Sequence, residues 1–214
     1  MEVAAVDVEF RDGAFHVAGT DKAMAMTEVA KAFYYPMGIT DKFGVGLEAS
    51  GTFATEPPNH PNGCHVCEVE IDPETGTARV ERYAVVDDVG TVVNPKTLKG
   101  QIHGGIAQGL GQVLMEEVVY DPGSGQLLGA SLMDYALPRA DDLCAIEVAT
   151  RPVPTRLNPL GAKGAGEAGT VGALPAVMNA IRDALAPLGV TALAMPATSE
   201  RIWRAIAAAR HAGG

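Results

Sequence analysis

Asn94-Pro95 opens a stretch that reads as a helix to about Tyr120, yet that stretch holds Gly100, Gly104, Gly105, Gly109 and Gly111. Asn94 suits the N-cap, and Pro95 suits the first helical position, where no N–H is needed. Each interior glycine costs a helix about 1 kcal/mol relative to alanine. Such a helix must gain something from its bare backbone, either close approach of another backbone or close approach of a ligand. At 3.6 residues per turn, Gln101, Gly105, Gln108 and Gln112 fall on one stripe, while Ile102, Ile106, Leu110 and Val113 fall on the next. The apolar stripe is expected in the core. The amide stripe has two readings: a neutral hydrogen-bonding face for a buried polar partner, or an exposed face whose glycines serve helix packing.

A second glycine cluster, Gly161-Ala-Lys-Gly-Ala-Gly-Glu167-Ala-Gly-Thr170, precedes another apolar helical run. Its glycines permit positive φ and close ligand approach. Glu167 is the one carboxylate in this loop. It is placed either for chemistry on a ligand or as a solvated acid favoured by a helix N-terminus. The run from Gly164 to Gly169 also fits G-x-G-x-x-G, but the required context is missing. A dinucleotide loop follows a buried strand, whereas Arg151 to Pro159 carries three prolines and cannot be a central strand. Asp183, near the distance of the expected ribose acid, falls inside a helix. Lys163 is followed by Gly164 rather than Ser or Thr, which excludes a P-loop.

Taken together and in order, several motifs carry a resemblance: Val86-Asp-Asp-Val-Gly90, Asn94-Pro95, Gly100-Gln101-Ile-His-Gly-Gly105, Gln108-Gly-Leu-Gly111 and Gly164-Ala-Gly-Glu167-Ala-Gly169. From about Val6 to Arg204 the chain resembles the C-terminal portion of the molybdopterin-binding large subunit of the xanthine dehydrogenase and aldehyde oxidase family. It is most similar to the branch of aerobic carbon monoxide dehydrogenase large chains. The resemblance implies that Glu167 is the general base, taking a proton as an oxygen nucleophile at the metal attacks an electron-poor carbon. It implies that Gln101 hydrogen-bonds the cofactor and that the backbone of Gly164, Ala165 and Gly166 lies against it. It also implies molybdopterin with molybdenum, the cytosine dinucleotide form being one alternative, with the metal held by the pterin and not by protein side chains. No iron–sulfur cluster or FAD is expected in this chain. The implied partners are the upstream molybdopterin-binding segment or subunit, an FAD subunit and a [2Fe–2S] subunit. The family's first cofactor-binding segments and its substrate-selective loop have no counterpart here, so the chain is expected to supply one wall of a site.

The bulk properties narrow the alternatives. The 214 residues, 47% apolar and 20% charged, suffice for one good core. A net charge of -10 argues against nucleic acid, which needs a basic patch. No apolar run reaches the length of a spanning helix, and the acidic N-terminal segment lacks a signal pattern, so a cytoplasmic location is expected. Three cysteines cannot supply four thiolates to an iron–sulfur cluster. Cys64-His-Val-Cys67 has the spacing of a redox or zinc motif, but it lies in an expected strand, where positions 64 and 67 face opposite sides. His65 and His103 have no second ligand at convincing spacing.

The remaining pattern is scaffold. Val6, Val8 and Phe10 alternate up to Asp12-Gly13, then Phe15 and Val17 complete a hairpin. Thr27 is expected to cap a short helix ending before Pro36, and 42–62 reads as a long extended loop. Residues 64–71 and 77–87 form a second hairpin, Asp121 to Gly125 a turn, and Cys144 to Thr150 another strand. Leu174, Val177, Met178, Ile181 and Leu185 keep helical spacing, with Pro175 placed in the first turn. Thr198 caps a final helix bearing Trp203. The expected fold is α+β, mixed strands with helices packed on one side, forming one C-terminal cofactor-binding domain portion. Within it, residues 1–62 would form a hairpin, helix and loop, and residues 63–214 the cofactor-facing core. Two functions compete: a part of a molybdenum hydroxylase-type oxidoreductase, or a non-catalytic binding or assembly module retaining the same surface.

Overall fold

The computed structural model describes residues 3–35, 46–54 and 58–212. Within them the chain forms two compact units, Met1–Ala54 and Thr55–Gly214. The first is a three-stranded antiparallel sheet, β1 (Val8–Arg11), β2 (Ala14–Val17) and β3 (Ala23–Ala25), followed by α1 (Met26–Tyr34). Asp12 and Gly13 turn the chain at φ 50° and 76°, the pair of positive values that matches the twist of a two-residue hairpin. Phe10 and Phe15 then face each other across the ladder, ring centroids 4.8 Å apart. The cap of α1 differs from expectation. Thr27 lies within the helix, and the Ala25 N–H donates instead to Glu28 Oε2 at 3.1 Å. Parts of the loop expected over 42–62 lie outside the described residues, as does Pro36.

The second unit is a three-stranded sheet in the order β4 (Asn62–Ile71), β5 (Ala78–Asp88), β6 (Ile146–Thr150). β4 and β5 form the expected hairpin, and β6 lies parallel to β5. Three helices accompany it: α2 (Pro95–Leu114), α3 (Ala168–Leu185) and α4 (Ser199–Ala212). The fold is therefore α+β. Burial in β5 reveals a change of phase. Val80 is buried, then Tyr83, Val85 and Asp87. The ladder pairs Val69 with Val80 but Glu68 with Arg82, which leaves Glu81 as an extra residue. One extra residue in a strand exchanges the faces of everything beyond it. This bulge turns Asp87, rather than Asp88, toward the interior.

The apolar stripe of α2 behaves as expected: Ile102, Ile106, Leu110 and Val113 are all buried beside Tyr83, Val85, Val177, Ile181, Leu185, Ile202 and Ile206. Asn94 caps this helix, its side chain accepting from the Thr97 N–H at 3.1 Å. α2 ends at Leu114, short of Tyr120, where the N–H groups of Met115 and Glu116 both turn back onto the Gly111 carbonyl. Two of its glycines explain themselves through packing. A Cβ on Gly105 would lie 2.8 Å from the Thr170 nitrogen and 3.0 Å from the Gly169 Cα, and one on Gly109 would lie 2.6 Å from the Ala173 Cβ. The bare backbone of α2 thus admits the backbone of α3. Pro175 is not in the first turn. It is inside α3, on the exposed side with Val171, so the carbonyl it cannot satisfy faces outward. Thr198 does cap the last helix, accepting from the Arg201 N–H at 3.3 Å. No helix among the described residues is long and apolar enough to cross a membrane.

Candidate active site

The 161–167 loop is clamped at one end and open at the other. Gly161, at φ +68°, reverses the chain next to Gly90, at φ +64°, and Gly90 bridges to Ala162. The Lys163 N–H donates to the Val89 carbonyl at 2.8 Å, and the Asn158 side chain holds both the N–H and the carbonyl of Ala162. Lys163 Nζ then donates to Asp88 Oδ2 at 2.6 Å. Asp88 Oδ1 accepts from the N–H groups of Gly90 and Val153, each at 2.9 Å. These contacts hold the Asp88 carboxyl at about 2, well below the carboxylate range, with the Lys163 hydrogen bond as the largest cause and the two N–H donors next.

Beyond Lys163 the loop is bare. A Cβ on Gly164 or Gly166 would meet nothing within 4 Å. Glu167 is the N-cap residue of α3 at φ -100°, ψ -4°, and its side chain makes no capping bond. Its exposed carboxylate therefore stays available at the electropositive end of an 18-residue helix. Glu167, Gly164 and Gly166 line one cleft of about 760 Å3, together with Asn62, His65 and Asp87.

The expected site residues are thus only partly assembled. Gly164, Gly166 and Glu167 come together. Ala165 lies between them, half-buried, and does not line the cleft. Gln101 is exposed on α2 and is also absent from the cleft lining. Farther along its stripe, Gln108 Oε1 accepts from the Thr170 hydroxyl at 3.3 Å at the start of α3. The glutamines are accessible, while Gly105 between them is buried against α3. The exposed amides and the packed glycines match the reading of this face as a surface whose glycines serve helix packing.

His65 and Asp87, neither of them assigned a site role from the sequence, line the cleft, and Tyr83 is buried beside His65. Asp87 is 2% exposed, with Oδ1 3.6 Å from His65 Nε2. His65 Nδ1 is 2.7 Å from the Tyr83 hydroxyl. The legible signal was an aspartate at the end of a strand whose other inward positions are apolar. It was hidden because the bulge at Glu81 decides the parity. The cysteines behave as the strand geometry requires. Cys64 is exposed and Cys67 half-buried, its thiol pushed up to about 12 by burial first, then by Cys144 and Glu68.

Residues 1–144 match the molybdopterin cofactor-binding domain family. This chain belongs to that family. Among relatives of the molybdopterin cofactor-binding domain, it is 38% identical to the carbon monoxide dehydrogenase large chain of Hydrogenophaga pseudoflava over 96% of its length. It is 36% identical to the nicotine 6-hydroxylase large subunit of Paenarthrobacter nicotinovorans, again over 96% of its length. The chain spans 25% of each of these relatives. Among solved structures it is similar to the reconstituted CO dehydrogenase from Oligotropha carboxidovorans, with a TM-score of 0.80 and 35% identity over 99% of this chain and 26% of that one. It is similar also to quinoline 2-oxidoreductase from Pseudomonas putida 86, with a TM-score of 0.78 and 42% identity over 96% of this chain and 26% of that one. The site suits such a cofactor in two respects. The Gly164 and Gly166 backbone forms an open cradle, and Asp87 Oδ2 is a buried acceptor without a partner.

Proposed function

We propose that this chain supplies one wall of the molybdopterin site of a molybdenum hydroxylase-type oxidoreductase, with Glu167 as its general base. The observation that carries the proposal is that Glu167 shares one cleft with the open edge at Gly164 and Gly166. When bound, molybdopterin with molybdenum would supply two-electron oxidation of an electron-poor carbon. The chain's own residues do the rest. Gly164, Ala165 and Gly166 present backbone that a planar polar group can approach, because no side chain stands above the two glycines. Glu167, uncommitted to capping, accepts the proton released as the oxygen nucleophile attacks. The Lys163–Asp88 clamp anchors the start of the loop that carries this carboxylate. Gln101, exposed on α2, donates and accepts toward the cofactor from the neighbouring helix.

In this reading both compact units belong to one cofactor-binding portion of a large subunit. The missing walls come from an upstream segment or subunit, and electrons leave through [2Fe–2S] and FAD subunits in a cytoplasmic complex. The cytosine dinucleotide form of the pterin is part of the same proposal. The competing reading is a non-catalytic cofactor-binding or assembly module without turnover, which needs the same cleft but not the Glu167 base.

The experiment measures turnover and molybdenum content of Glu167→Gln and Gln101→Ala in the assembled protein. General-base help is worth about 10²–10⁴ in rate. Glu167→Gln keeps the shape but cannot take the proton, so turnover should fall by that range with molybdenum content nearly unchanged. Gln101→Ala should lower molybdenum content first. Near-normal turnover in Glu167→Gln ends the catalytic assignment.

A further inference from the structure

Two buried side chains of the cleft lining, His65 and Asp87, and the buried Tyr83 beside them are not used by the proposed reaction. Tyr83 is 1% exposed, and burial raises its hydroxyl pKa above the ordinary phenol value. The phenol keeps its proton, and His65 Nδ1, at 2.7 Å, is its hydrogen-bond partner. A phenol can donate or accept here, and the tautomer with its hydrogen on Nε2 is the one in which Tyr83 donates to Nδ1. Nε2 is the atom that faces Asp87 Oδ1, at 3.6 Å. The ring has little freedom to turn away. Its side chain is 6% exposed, it meets Tyr83 edge to face, and it lies against the bare Cα of Gly172, where any Cβ would collide with it.

This arrangement sets the His65 ring against one oxygen of the Asp87 carboxylate, outside hydrogen-bond distance, and leaves the other without a partner. Asp87 Oδ2 is buried and has no hydrogen-bond partner, while Asp87 itself lines the cleft. A buried acceptor left unmatched costs about 1–3 kcal/mol, and native interiors rarely keep one without a use. The same cleft is lined by Gly63, Gly164 and Gly166 and by the side chains of Asn59, His60 and Asn62, none of which hydrogen-bonds Asp87 Oδ2.

We infer that Asp87, packed beside the hydrogen-bonded Tyr83–His65 pair, is a recognition subsite for an N–H donor group of amidine type, seated on Asp87 Oδ2 in the Glu167 cleft. The inference shares that cleft with the proposed function but not its chemistry, since it requires neither metal nor turnover. The donor is carried either by a diffusible ligand or by a ring N–H or amino group of the bound cofactor. Asp87 is a binding residue here, and His65 and Tyr83 are positioning residues.

The test uses the protein as it exists, with any companion chains, in cofactor-free and cofactor-loaded forms. Benzamidinium and benzoate, equal in shape and opposite in charge, are titrated calorimetrically, and a crystal structure is solved with benzamidinium. The expected result is benzamidinium binding to the cofactor-free protein, its nitrogen within hydrogen-bond distance of Asp87 Oδ2, with benzoate binding at least about tenfold weaker, the scale of a charge-assisted hydrogen bond. Asp87→Asn should weaken benzamidinium by about the same factor, and His65→Gln should weaken it less. Loss of binding on cofactor loading assigns the donor to the cofactor, and retained binding assigns it to a diffusible ligand. Equal affinity for the two probes, benzamidinium seated away from Asp87, or no binding to the unaltered cofactor-free protein each overturns the subsite. The probe comparison stands even if Asp87→Asn does not fold. Because it reads binding without turnover, its outcome is independent of the Glu167→Gln result.

Discussion

Lys163 Nζ donates to Asp88 Oδ2 at 2.6 Å, so the loop bearing Glu167 is tied to the last residue of β5. Asp88 also receives the N–H groups of Gly90 and Val153. One carboxylate therefore gathers the strand end, the segment after β6 and the glycine-rich loop.

This clamp should show in the acid range. The Asp88 carboxyl is held at about 2 in the folded chain, chiefly by Lys163, against an ordinary value of about 3.9 in an unfolded one. A depressed folded value means that the stabilisation is fully present above the unfolded pKa and is lost as pH falls through the folded one. Asp88→Asn should therefore be less stable than the parent at pH 6, and the difference should shrink between about pH 4 and about pH 2. Thermal unfolding across that range measures it. A pH-independent difference would mean that the carboxylate's charge does not hold the loop.

The glycines of α2 should divide by environment. At Gly105 an added methyl meets backbone atoms of Gly169 and Thr170, which cannot swing aside. Gly105→Ala should cost about 1–3 kcal/mol, the usual price of overpacking. At Gly104 an added methyl meets nothing within 4 Å, so Gly104→Ala should gain up to about 1 kcal/mol in helix propensity. Urea unfolding of both variants decides the matter. A Gly105→Ala variant as stable as the parent would contradict the close contact between α2 and α3.

The cysteines should react unequally. Cys64 is exposed, while the Cys67 thiol is half-buried and raised to about 12. The thiolate is the reactive form. Iodoacetamide at pH 8 should label Cys64 promptly and leave Cys67 unmodified until the protein unfolds. Peptide mapping reads the sites, and preferential labelling of Cys67 would show that β4 faces the other way.

How much of this was legible before folding depends on the range of the interaction involved. Asp12-Gly13 turned the first hairpin because positive φ at both positions is a local demand. Asn94 capped α2, and Thr198 capped α4, because a cap is satisfied within one turn. Ile102, Ile106, Leu110 and Val113 were readable as core from helical spacing alone. The cap of α1 and the place of Pro175 in α3 differ from the sequence expectation by a few residues, since helix ends depend on which neighbours take the orphaned backbone groups.

The candidate site divides along the same line. Gly164, Gly166 and Glu167 were visible because a bare loop before a helix is a feature of adjacent residues. What the sequence could not convey is which aspartate of the Asp87–Asp88 pair faces the cleft. Alternation along β5 gives either answer until the unpaired residue at Glu81 is placed, and that placement depends on pairing with Glu68 and Val69 in β4. The Lys163–Asp88 clamp spans 75 residues of sequence, and the His65–Tyr83 bond spans 18. Side chains so far apart acquire a joint geometry only when sheet register and helix packing bring them together. Local propensities wrote the elements of this chain, and long-range packing decided which of its polar groups share a cleft.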